Sequence, residues 1–245
     1  MSSARRYPKA PITEAIIEMR VQQAPGITVG DLLRCHIGEE KSYPGQKEIK
    51  VGVGHFEVGA RLSATATAQP VGFLFTSGDQ TQVYQARLDG FSMSKLAPYE
   101  SWQPFRDEGR RLWNVYRQAV KPVRVERIAV RYINRLDIPG PRVELKDYLR
   151  TGPEIAEGLP QSLDGFFMQL QLPVQDIRGR LLLNETTIEP PSPGVVAVVL
   201  DIDLFRAEDL PQEEEGIWQL VETMRLRKNE FFEACITDRA RELFT

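Results

Sequence analysis

Residues 12–22, ITEAIIEMRVQ, alternate in character. Thr13, Ala15, Ile17, Met19 and Val21 take one phase; Glu14, Ile16, Glu18 and Arg20 take the other. A period of two predicts a half-buried strand. Residues 28–37, TVGDLLRCHI, fit a short helix. From 38 to 70 the chain is first polar and turn-rich, then rich in glycine and alanine, which predicts an irregular loop and a weak strand. GFLFTS (72–77) and QVYQARLDGFSMSKL (82–96) read as two strands. Ser77-Gly78-Asp79-Gln80 between them suits a tight hairpin in which the glycine or the aspartate takes positive φ.

Helical spacing begins at 101. Phe105, Leu112, Val115, Tyr116 and Ala119 share one face, Pro104 belongs in a first turn, and Pro122 ends the helix. VRVERIAVRYINRLDI (123–138) returns to a period of two. Pro139-Gly140-Pro141 is the strongest internal break. After it, VELKDYLR predicts a short helix and TGPEIAEGLPQ a loop. DGFFMQLQLP and RGRLLLNETTIE predict a hairpin, and VVAVVLDIDLF predicts a third strand. A long helix follows from Glu213 to Cys235, with Ile217, Leu220, Val221, Met224, Phe231 and Cys235 on one stripe. Lys228 shares that phase and is expected to snorkel. Thr237-Asp238 is placed to cap a last short helix. Each half thus offers antiparallel strands and then a long helix. The expected fold class is α+β: antiparallel sheets with long helices packed on one face, in two similar halves, 1–139 and 140–245, or as one continuous domain.

Composition narrows the class. With 245 residues, 42% hydrophobic and 27% charged, the chain is long enough to bury a core and ordinary for a globular protein. A net charge of −3 gives no general pull toward nucleic acid or anionic membrane. No apolar run reaches the roughly 20 residues of a membrane span, and the N-terminus lacks the apolar stretch of a secretory signal. Cys35 and Cys235 are far apart, which argues against a disulfide scaffold or a zinc site. Cytoplasm is the expected compartment, and no cofactor is expected.

An ordered set of motifs carries a resemblance. APITEAIIEMRV, YESWQPFRDEGRRLW, VRYINRLDIP, KDYL, the LDID strand and KNEFFEACITDRARELF together resemble a sporadically distributed family of uncharacterised bacterial proteins of about this length. The resemblance brings no catalytic residues. It implies a self-contained cytoplasmic protein, and the sporadic spread implies an accessory role, in a defence or toxin–antitoxin type locus.

The residues themselves offer several constellations. On the 123–138 strand Arg127, Arg131, Arg135 and Asp137 share one face, and Glu14 and Glu18 run in the same period on the first strand. A row of guanidinium groups needs counter-charge or solvent. Ion pairing of the arginine row with Glu14 and Glu18 is the leading expectation, and a cradle for a small anion built from forked arginine donors is the alternative. From 106 to 135 the balance is nine basic to three acidic residues, with Trp113, Tyr116 and Tyr132 interleaved; from 201 to 215 it is seven acidic to one basic. A nucleic-acid face is possible there but not favoured over pairing of the two blocks. Asp201 and Asp203, two apart on one strand, are the candidate metal ligands of a nuclease-like enzyme, with Glu185 or Asp137 as a third acid. Asp137 with Glu144 and Lys146 has the residue types of another nuclease pattern, but Glu144 and Lys146 fall where a helix begins. His36 and His55 have no ligand spacing. Gly52, Gly54 and Gly59 do not lead into a helix as a nucleotide loop requires. Catalysis is therefore not the expected role. The leading expectation is a binding protein for a protein partner, including a second copy of itself, or for a small anionic ligand.

Overall fold

The computed structural model describes Arg5, residues 7–58 and residues 62–245, with the backbone alone for 53–58 and 62–67. Nine strands form one antiparallel sheet: β1 (Ile12–Gln22), β2 (Gly45–Val58), β3 (Leu62–Thr76), β4 (Gln82–Arg87), β5 (Gly90–Leu96), β6 (Arg124–Pro139), β7 (Phe167–Val174), β8 (Gly179–Ile188) and β9 (Val195–Arg206). Their order is β2-β3-β4-β5-β1-β6-β9-β8-β7. Helices are α1 (Trp102–Val120), α2 (Glu214–Cys235) and the five-residue α3 (Asp238–Glu242), with a 3₁₀ helix at Val29–His36.

This corrects the expected α+β class with separate sheets and long helices on one face. Strand makes up 40% and helix 27%, so the sheet is the frame and it is a single one. Much of the difference comes from residues 45–76. Most of this stretch reads as an irregular loop and a weak strand, with GFLFTS alone expected as a full strand, yet β2 and β3 pair from Gly45↔Thr76 to Val58↔Leu62, with a register shift at Ile49/Lys50. The segment 82–96, expected as one strand, is two, because the chain turns at Leu88-Asp89 before Gly90. At the Ser77–Gln80 turn the positive φ falls on Gln80 (59°), not on Gly78 or Asp79. Asp79 Oδ1 accepts from the Ser77 hydroxyl and the Thr81 N–H, which holds that turn without help from glycine. VELKDYLR forms only a 3₁₀ turn at Leu145–Asp147.

Two compact units are present. One comprises Met1–Ile17, Lys95–Glu100 and Arg127–Thr245; the other comprises Glu18–Ser94 and Ser101–Glu126. The Pro139-Gly140-Pro141 break lies inside the first. In that unit the even-numbered positions of β6 and β9 (Ile128, Val130, Tyr132, Leu136, Ile138; Val198, Leu200, Ile202, Leu204) are buried, as a half-covered strand requires. Helix α2 lies against β9 and adds Ile217, Trp218, Val221 and Met224 to this core. Thr237 caps α3, its hydroxyl accepting from the Ala240 N–H at 3.2 Å.

In the second unit the core is aromatic. Trp113 stacks on Tyr116 (5.6 Å between centroids) and lies 5.9 Å from Phe91, while Phe75 stacks on Tyr84 at 4.7 Å. Arg111 closes this unit with charge, donating to both oxygens of Glu39 (2.5 and 2.7 Å) and both of Glu108 (2.8 Å each). Gly90 is required by close approach. A Cβ there would stand 2.3 Å from the Met19 carbonyl oxygen, at φ +155°. Gly90→Ala is expected to cost about 2 kcal/mol, read as a lower urea midpoint. An unchanged midpoint would mean that β1 can move away freely.

Candidate functional site

Two arginines of the row meet counter-charge on β9. Arg131 donates from Nε and Nη2 to the two oxygens of Asp201 (2.8 and 2.7 Å), and Arg127 reaches Asp203 at 2.9 Å while lying 4.4 Å over the Phe205 ring. Register sets the reach: Ile133 faces Asp201 and Arg131 faces Asp203, so each long guanidinium runs diagonally along the same sheet face. Arg135 bonds Asp137 at 2.8 Å. Glu18 belongs to the second unit and pairs with Arg20 at 3.1 Å. Glu14 acts on Arg131 only through its field, a small addition to the Asp201 bonds that hold the guanidinium's pKa above its ordinary value.

Asp201 extends the row. Its Oδ2 also accepts from Asn184 Nδ2 on β8 (2.9 Å), and Asn184 Oδ1 accepts from Gln169 Nε2 on β7 (2.7 Å). Arg131, Asp201, Asn184 and Gln169 therefore form one hydrogen-bonded line across four strands. The acidic and basic windows meet at these pairs. Elsewhere in the basic window, Arg106 is tied to Asp107, Arg111 to Glu39 and Glu108, and Arg124 to Glu126. Each candidate metal carboxylate, Asp201 and Asp203, already holds an arginine, and no group of three or more His, Cys, Asp and Glu among the described residues is arranged to hold a metal ion. Glu144 and Lys146 pair with each other at 3.5 Å in solvent. His36 stacks on Phe75 at 4.4 Å, with Nδ1 3.3 Å from the Tyr84 hydroxyl. Gly59 and the His55 side chain lie outside the described residues.

The opposite face of the first unit holds what sequence reasoning missed. An open groove of about 850 Å³ runs between β7, β8 and α2. Leu170, Leu172, Leu181, Leu183 and Phe231 give it an apolar lining. Arg227 stands at the groove with Asp176 against its Nε (2.6 Å) and Glu230 against its Nη1, so its charge is already met. Cys235 and Thr151 add small polar groups.

Glu185 is the next inward-facing position on β8 after Leu183. It is fully buried, and neither carboxylate oxygen has a hydrogen-bond partner among the described residues. Burial alone pushes its pKa to about 7, and its field helps to raise the Cys235 thiol, whose shift comes chiefly from burial. Lys228 on α2 does not snorkel. It is 5% exposed, and its Nζ lies 3.4 Å from the Tyr132 ring centroid. Burial, with Arg225 nearby, lowers its pKa to about 7. Both residues were visible in the pattern: Glu185 continues the Leu181, Leu183 phase, and Lys228 sits in the α2 stripe.

The chain thus carries an engaged polar row on one face of the first unit and an open apolar groove on the other. No family model matches the chain, and no curated protein matches it.

Proposed function

We propose that this is a non-catalytic binding protein whose partner is another protein, an apolar segment of which occupies the groove between β7, β8 and α2. The groove is the observation that supports the reading. Its volume falls within the range of ligand sites, its walls are mostly aliphatic and aromatic, and Leu172 is left 43% exposed along it. An exposed leucine in a concave apolar surface gains by being covered. The paired Arg227 and Asp176 offer little to a small free anion, which favours an uncharged segment of a larger partner. The phosphoester-cleaving alternative through Asp201 and Asp203 has no comparable support, because a cation there would have to displace two arginines.

Ala234 is exposed at the groove, so Ala234→Trp should fill it without touching the core. With 1-anilinonaphthalene-8-sulfonate as the probe, saturable binding is expected for the wild type and loss of most of it for the variant, with unchanged circular dichroism. Both proteins should then serve as baits in extract, where proteins held by the wild type and released by the variant are expected. Equal dye binding, or the same proteins on both baits, would remove the reading.

A further inference from the structure

The two ends of the sheet are unlike. The end strand β2 carries Lys47, Glu48 and Lys50, charges of the kind that discourage a sheet edge from pairing with another. The other end strand, β7, reads FMQLQLPV and has no charged residue. Among the described residues its ladder partner is β8 alone, with an unbroken register from Phe167↔Thr186 to Val174↔Gly179 and no bulge to turn the edge away. Phe167, at its start, is 69% exposed.

The backbone phase of β7 can be read. The Phe166 carbonyl accepts from the Thr187 N–H on β8 (3.2 Å), and backbone direction alternates along a strand. The N–H and C=O groups of Phe167, Gln169 and Gln171 therefore point away from β8. Pro173 falls in the same outward set, where its missing N–H takes nothing from the β8 ladder and ends the row of outward donors.

We propose that the outer edge of β7 pairs antiparallel with the same edge of a second copy of this chain, about a two-fold axis at Gln169. A two-fold perpendicular to the sheet keeps like faces together only when residue sums across the pair are even. Centring on Gln169 satisfies that and leaves Pro173 outside the pairing. Gln169 then faces its own copy, Phe167 faces Gln171, and Met168 faces Leu170. The outward groups form three hydrogen-bonded pairs, and Phe167 gains a neighbour on its open side. Leu170 lines the groove, so the two grooves meet across the axis on one sheet face. The contact is isologous and closes as a dimer. It depends on the edge, not on what fills the groove.

Sedimentation equilibrium of the full chain tests this. A concentration-dependent dimer is expected. Gln169→Lys sets two like charges opposite each other and should weaken the dimer by about tenfold or more, and Phe167→Lys should do the same from a second position. Both sites are exposed, so circular dichroism should not change. Gln169→Cys should oxidise to a cross-linked dimer. A wild-type monomer into the millimolar range, or a dimer that survives both lysine variants, would overturn the proposal.

Discussion

Arg131→Met should destabilise the protein by about 3 kcal/mol. The side chain of Asp201 is 7% exposed, and the substitution removes both of its guanidinium bonds. Asn184 then remains as the one side-chain donor shown for that carboxylate. The asymmetry of buried pairs sets the size of the effect: a pair can contribute little net stability, yet removing one member strands the other. Asp201→Asn in the Arg131→Met background removes the stranded charge and should restore most of the loss. Urea midpoints for the wild type, both single variants and the double variant form the cycle. Additive losses would mean that the two groups do not depend on each other.

Lys228→Met should raise stability at pH 7 by about 3 kcal/mol, because the cation–π contact with Tyr132 offsets only part of the cost of burying an ammonium. The folded value, about 7, lies below the ordinary 10.5. Between those values the unfolded chain holds more protons, so the penalty grows as pH falls from 10.5 and levels off below 7. The gain from Lys228→Met should thus vanish toward pH 10.5. Glu185 runs the other way. Its folded value, about 7, lies above the ordinary 4.5, so its penalty is absent near pH 4.5, grows as pH rises and levels off above 7. Glu185→Gln should stabilise by about 2 kcal/mol at pH 8 and not at all near pH 4.5. Chemical denaturation across that range gives both differences. A gain for Lys228→Met that does not depend on pH would show that the lysine is charged in the fold.

Legibility in the sequence followed burial. β1 and β6 were readable because one face of each is packed and the other is not, which writes a period of two into the residues. β2 and the start of β3 were not, because glycine, alanine and threonine suit loop and strand alike, whereas the GFLFT end of β3 was. Asp89-Gly90 carried a turn signal inside a stretch whose hydrophobic content suggested continuity. The arginine row was legible as a row, but its bonds to Asp201 and Asp203 depend on β6 lying beside β9, and strand order across separations of some 70 residues leaves no local trace. The single sheet was not legible for a related reason: the strand-and-helix order is compatible with one sheet as well as several. Glu185 and Lys228 broke the pattern at apolar positions, and those breaks are where the buried charges sit.

The line from Arg131 through Asp201 and Asn184 to Gln169 also sets an alignment mark. Sliding β8 by one residue against β9 would turn Asn184 toward the apolar face and bring Leu183 or Glu185 to the mark in its place. Neither can donate to Asp201 as the amide does. Mispaired sheets therefore break the line at its middle, while the native pairing completes it on all four strands at once. Leucine content alone would tolerate several alignments of β7, β8 and β9, and the polar line distinguishes the native one.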